Sequence, residues 1–265
     1  MRKLLFLAVV SVFLEANVID KFIKKCNNND AKSCVTVGIG YAYGVGEKKD
    51  INKAIEYFQK ACDLNSSKGC HNVGLFSYKK GKLNKAIEYY TKACNNKYGD
   101  SCNNLGAYHL KVKKDNKRAI SYFKMACDLN SGDGCYNYAR SYTILPTKGV
   151  KDILGAKQNN KKVFDLYTKS CELNSAKGCT KLGIIYAKGQ IVKKDVPKAV
   201  ELFEKACRGK DAHACRNMGL AYYNGRGVIK DVAKAIKYFK KGCNLGLPIS
   251  CAGYKGALKA YNKSK

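Results

Sequence analysis

Lys53 to Tyr78 reads KAIEYFQKACDLNSSKGCHNVGLFSY, and this stretch decides the fold. Before its first cysteine, Ala54, Ile55, Phe58, Ala61 and Cys62 recur at helical spacing and make one apolar face. After its second cysteine, Cys70, Val73 and Gly74 share one face of a second helix. The Asp, Asn, Ser and Gly between them are turn formers. The segment therefore reads as helix, turn, helix, with the turn bracketed by a C-x7-C pair.

The bracket recurs along the chain. Cysteines stand at Cys26/Cys34, Cys62/Cys70, Cys94/Cys102, Cys127/Cys135, Cys171/Cys179, Cys207/Cys215 and Cys243/Cys251, which uses all 14 in the 265 residues. The first members are separated by 36, 32, 33, 44, 36 and 36 residues, the period of a solenoid built from supersecondary units. KAIEYYTKAC (85–94), RAISYFKMAC (118–127), KAVELFEKAC (198–207) and KAIKYFKKGC (234–243) repeat the first helix, called helix B. CVTVGIGY, CNNLGAYH, CTKLGIIY and CRNMGLAY repeat the second, helix A. Glycine is costly in a helix, so Gly38, Gly74, Gly106, Gly183 and Gly219 at one register point to a close helix contact. The ends of a short helix–helix turn lie within disulfide reach, which favours pairing each cysteine with its own C-x7-C partner. Spacing by itself does not fix that connectivity.

Composition bounds the rest. Lys+Arg 50 against Asp+Glu 20 gives +30, and 46% hydrophobic residues exclude wholesale disorder. Nearly all the positive charge is lysine spread over every repeat, with only six arginines. This reads as a solvated surface rather than a nucleic-acid site, because bidentate phosphate recognition favours arginine. Arg2 and Lys3 precede an apolar run, Leu4 to Leu14, too short to span a bilayer. Residues 1–16 are expected to be a signal peptide cleaved near Ala16, making the chain secreted or periplasmic and its thiols oxidised. Residues 17–29 then read as an N-terminal capping helix, 30–247 as six repeats, and 248–265 as a C-terminal capping helix and tail.

The pattern C-x2-L-G-x2-Y followed by the KAIEYFxKAC element resembles the Sel1-like repeat, a relative of the tetratricopeptide repeat. With a cysteine pair in every unit, it is similar to the Helicobacter cysteine-rich proteins. The resemblance covers roughly residues 17–261. It implies an all-α, right-handed α-solenoid of antiparallel helix pairs with one disulfide per repeat. It also implies binding of penicillin or a peptidoglycan fragment with weak β-lactamase activity, or a non-enzymatic scaffold engaging host or envelope proteins.

Two features depart from a uniform array. An insertion stands near 146–160, and after Cys251 the glycine is Gly256, one place late. Ser250 to Tyr261 is expected to cap the end.

Candidate ligand contacts come from a recurring position. The residue before the apolar-Gly pair of helix A is Thr36, Asn72, Asn104, Asn137, Lys181, Asn217 and Gly253. An amide offers donor and acceptor, suited to an extended peptide lying in a groove. Arg140, Arg216 and His71 flank this row and are expected to engage an anionic group. Hydrolysis of a β-lactam asks for S-x-x-K with S-D-N and K-T-G elements. Ser77/Lys80 and Ser121/Lys124 match the first, no K-T-G occurs, and the catalytic residues stay unknown. No cofactor is expected. No metal is either, since C-x2-C and H-E-x2-H are absent and the three histidines are scattered.

Overall fold

The computed structural model describes residues 18–144, 156–189 and 191–263. The expected signal peptide and the insertion's residues 146–155 lie outside the described residues. Among the described residues there are fourteen helices and no strand. The chain divides at Lys113 into two compact units.

The first unit holds α1 (18–27), α2 (Ala31–Tyr43), α3 (Ile51–Asp63), α4 (Ser67–Lys79), α5 (Leu83–Asn95) and α6 (Gly99–Lys111). The second holds α7 (Asn116–Asp128), α8 (Gly132–Ile144), α9 (Ala156–Glu172), α10 (Ala176–Lys188), α11 (Val196–Arg208), α12 (Ala212–Asn224), α13 (Val232–Asn244) and α14 (Pro248–Lys263). Odd-numbered helices carry the B pattern and even-numbered ones the A pattern. Each unit is an α-solenoid of antiparallel pairs. Helix α1 is itself a B helix, because Ile19 and Phe22 precede Cys26 at the spacing Ile87 and Tyr90 keep from Cys94. No helix among the described residues is long and apolar enough to cross a membrane.

The turn from B to A is the same object seven times. Its third residue after the first cysteine has positive φ: Asn29, Asn65, Lys97, Asn130, Asn174, Lys210 and Gly246. That left-handed residue lets the next N–H turn back onto helix B, as in Ser66 N–H to Ala61 O at 2.9 Å and Asp211 N–H to Ala206 O at 3.1 Å. The same residue then caps helix A. Asp30, Ser66, Ser175 and Asp211 accept backbone N–H bonds of the following first turn. Two helices are thus ended and begun within three residues.

That tight turn brings the cysteines together. The bridges join Cys26–Cys34, Cys62–Cys70, Cys94–Cys102, Cys127–Cys135, Cys171–Cys179, Cys207–Cys215 and Cys243–Cys251. Their Cα–Cα separations run from 4.3 to 4.9 Å, the short end of what a disulfide spans. Small residues beside them make the approach possible. A Cβ on Gly69 would lie 2.7 Å from the Ala61 Cβ, and one on Gly134 would lie 2.5 Å from the Ala126 Cβ.

In four pairs the helix A glycine seats a helix B ring. A Cβ on Gly38 would meet Phe58 at 2.6 Å, on Gly74 Tyr90 at 2.7 Å, on Gly183 Phe203 at 2.7 Å, and on Gly219 Phe239 at 2.6 Å. The rings stand four residues before a first cysteine and the glycines four after a second. At the C-terminal end the expected register is corrected. Gly256 is exposed with nothing near it, while a Cβ on Gly253 would meet Phe239 at 2.8 Å. Lys255, not a glycine, stands at the seat register of α14, and Gly253 faces the ring of the preceding helix.

Gly219→Ala should lower stability by about 1–3 kcal/mol, because the added methyl overpacks the Phe239 ring. Gly256→Ala should raise it by roughly 0.5–1 kcal/mol, because it only removes the helix cost of glycine. Thermal midpoints of the two oxidised variants against the parent check both signs.

Candidate functional site

Three members of the row, Thr36, Asn104 and Asn217, line cavities between repeats. Each groove is walled by helix B and the next helix A. In the first unit a cavity of about 240 Å³ lies among α4, α5 and α6, lined by Leu75, Ile87, Tyr90, Asn104 and Ala107. Another of about 440 Å³ lies between α1 and α2, lined by Ile19, Phe22, Thr36 and Ile39. In the second unit a cavity of about 620 Å³ lies among α10, α11 and α12, lined by Ile184, Val200, Phe203, Asn217 and Leu220. Counted from the cysteines, these are the same positions. Phe22, Tyr90 and Phe203 stand four residues before a first cysteine, and Thr36, Asn104 and Asn217 two after a second. These three grooves therefore share an apolar floor and a polar residue at one constant register.

The polar residues differ in what they already hold. Asn104 hydrogen-bonds the Tyr90 hydroxyl, and burial pushes that phenol up to about 12. At the Asn217 groove the ring is Phe203, which has no hydroxyl. Among the described residues Asn217 has no hydrogen-bond partner, so its amide faces the cavity with both functions available. Asn72 and Asn137 are half-buried at the same register, but line none of these three cavities.

Two expected residues are placed elsewhere. His71 follows its cysteine by one residue, a register that faces the next repeat's turn rather than the groove. Its Nδ1 lies 2.8 Å from Ser101 Oγ, and its ring packs against Tyr98 with centroids 4.8 Å apart. Burial there lowers its pKa below the ordinary 6.5, so His71 is a neutral packing residue at pH 7 and not a cation for an anionic group. Thr180 shows what this register does, bonding Asp211 of the next turn at 3.0 Å. Arg216 shares the register and does not line the α10–α12 cavity. Arg140 stands at the register of Ile184 and Leu220, and its guanidinium lies 5.8 Å from the Tyr136 ring centroid. The cations that do line the large cavity are Lys188, Lys194 and Arg226. They lie at the end of α10 and in the loops before α11 and after α12, so a helix-face pattern did not reveal them.

Neither Ser-x-x-Lys match forms a nucleophile and base. Ser77 is buried, while the Lys80 ammonium donates to Asn52 Oδ1 at 2.7 Å. Ser121 is exposed, and Lys124 pairs with Asp128 at 2.7 Å. That hydrogen bond raises the Lys124 pKa, the opposite of what a lysine base needs. Among the described residues no three His, Cys, Asp or Glu side chains converge to hold a metal ion.

Comparison with known proteins agrees with this geometry. The Sel1 repeat matches residues 32–66, 99–131, 133–175, 176–211 and 212–247, and a tetratricopeptide repeat matches 67–97. A protective antigen of uropathogenic Escherichia coli with an SLR fold is 20% identical, with a TM-score of 0.70 over 93% of this chain and 53% of that one. The chain thus spans about half the antigen's length. A Sel1 repeat protein from Oxalobacter formigenes is 25% identical, with a TM-score of 0.68 over 82% of this chain and 88% of that one. Cysteine-rich protein B of Helicobacter pylori is 38% identical over 54% of this chain and 98% of that one, with a TM-score of 0.41. No curated protein matches.

The His71 environment gives a pH signature. The unfolded chain protonates near 6.5 and the folded one lower, so stability is lost as pH falls through that window and levels off below the folded pKa. Titration of the His71 ring by NMR should give a midpoint below 6.5, and His71→Gln should remove this part of the pH dependence.

Proposed function

Because this chain belongs to the Sel1 repeat family, and its inter-repeat grooves pair an apolar floor with one polar residue, we propose that it is a non-enzymatic protein-interaction scaffold. Its grooves take extended segments of a partner. The observation that carries this reading is the recurrence of Thr36, Asn104 and Asn217 at one register, each lining a cavity. A peptide side chain would enter the apolar floor while its backbone amide meets the Asn side chain. Asn104 spends one bond on Tyr90, so Asn217 is the stronger contact.

Seven disulfides belong to an oxidising compartment. Residues 1–16 have the composition of a signal peptide, which supports export to the periplasm or beyond. Peptide segments of envelope or host proteins are then the partners such grooves would meet.

Selecting a displayed library of short peptides on the oxidised chain tests the reading. Selected peptides should lose about 1–3 kcal/mol of binding in Asn217→Ala, and no more than that in Asn104→Ala, with unchanged circular dichroism. Peptides whose affinity ignores both substitutions would refute the groove.

A further inference from the structure

The cavity among α10, α11 and α12 differs from its two counterparts in one respect. Its rim is cationic. Lys188, Lys194 and Arg226 line it together, and no acidic residue does. The α4–α6 cavity has Lys111 alone on its rim, and the α1–α2 cavity has no charged lining residue. All three cations are exposed, and none forms an ion pair among the described residues.

A few helix-surface cations pair locally instead. Lys92, Lys124 and Lys198 each sit within 3 Å of a carboxylate on their own helix. The rim cations arrive by a different route. Lys188 ends α10, and Lys194 is pressed against Gly189, whose absent Cβ would lie 2.8 Å from the Lys194 Cβ. Arg226 is fixed by its backbone N–H bonding Ala221 O at 2.9 Å, at the left-handed Gly225 that ends α12. The backbones that carry the three are therefore set by turn geometry, while the side chains reach over an apolar floor. That floor includes Val200 and Phe203, both buried, and Asn217 stands on its wall.

Three unpaired cations at one end of an apolar hollow of 620 Å³ select their complement. All three stand where α10 and α12 end and α11 begins, so the complement must bury one apolar group and carry negative charge to one side of it. We infer that this cavity is an anchor site for an acidic peptide. An apolar side chain fills the floor, the peptide backbone meets Asn217, and Asp or Glu side chains to one side of it meet Lys188, Lys194 and Arg226. The inference rests on the groove reading above and adds the partner's chemistry to it.

The experiment uses the full oxidised chain and a library of short peptides with acetylated and amidated ends, so that every carboxylate is a side chain. Selected binders should carry Asp or Glu to one side of one apolar residue. The charge-reversed variant Lys188→Glu, Lys194→Glu, Arg226→Glu should weaken them at least about tenfold, and raised salt should weaken them in the parent. All three positions are exposed, and circular dichroism checks that the variant folds. Binders with neutral or basic flanks that still depend on Asn217 would overturn the acidic-peptide site and leave the groove reading standing. A library with no binder sensitive to Asn217→Ala or Asn104→Ala would overturn both. Decanoate occupying the cavity while no peptide does would overturn the peptide assignment as well.

Discussion

Everything in this chain depends on how closely helix B can approach the next helix A across the three-residue turn between them. The disulfide is the visible mark of that approach, and side-chain size is its cause. Gly69 opposes Ala61, Gly134 opposes Ala126, and Gly178 opposes Ser170. A larger residue on either side would push the backbones apart and take the sulfurs out of range. The left-handed third residue and the shared cap then make the turn short enough to repeat without slack. A crosslink over so short a loop adds about 2–3 kcal/mol by restricting the unfolded chain. Its larger consequence is geometric, since it fixes the axial level of one helix pair against the next.

Once that level is fixed, the registers acquire separate jobs. Four residues before the first cysteine stands a ring, and four after the second stands the glycine that seats it. One residue after the second cysteine, His71 and Thr180 lock onto the following turn through Ser101 and Asp211. Two residues after it, Thr36, Asn104 and Asn217 line cavities. Neighbouring positions on one helix therefore do unrelated work. The ring's identity reaches the groove as well, because Tyr90 occupies the amide of Asn104 and Phe203 leaves that of Asn217 alone.

Most of the fold could be read from the C-x7-C spacing and the apolar faces beside it, because both follow from local helix geometry. The groove row was legible for the same reason, as a recurring residue beside a recurring glycine. What a linear pattern does not resolve is a difference of one residue at constant chemistry. His71 and Arg216 sit next to the row in sequence, but about 100° of helical rotation takes them to the repeat junction. In a linear pattern Gly256 reads as a slipped seat, but it is Gly253 that lies against the Phe239 ring. Lys188, Lys194 and Arg226 escaped because they belong to the turns between A and B. A helix-face argument excludes those turns, yet the turns supply the rim.

Those turns are where repeats differ. Lys80 to Lys82 make a three-residue link between α4 and α5, whereas α12 and α13 are joined by Gly225 to Asp231. The short link puts no loop cation on its cavity, whose volume is 240 Å³. The long one brings Arg226 and Gly227 over a cavity of 620 Å³. Length, not composition, decides this, since each link carries two cations, Lys80 and Lys82 in one and Arg226 and Lys230 in the other. A repeat held this rigidly can therefore change its ligand by altering one connecting turn, without touching the helices. Because the floor is already ordered by the disulfide and the seated ring, a ligand has little protein entropy to overcome on binding.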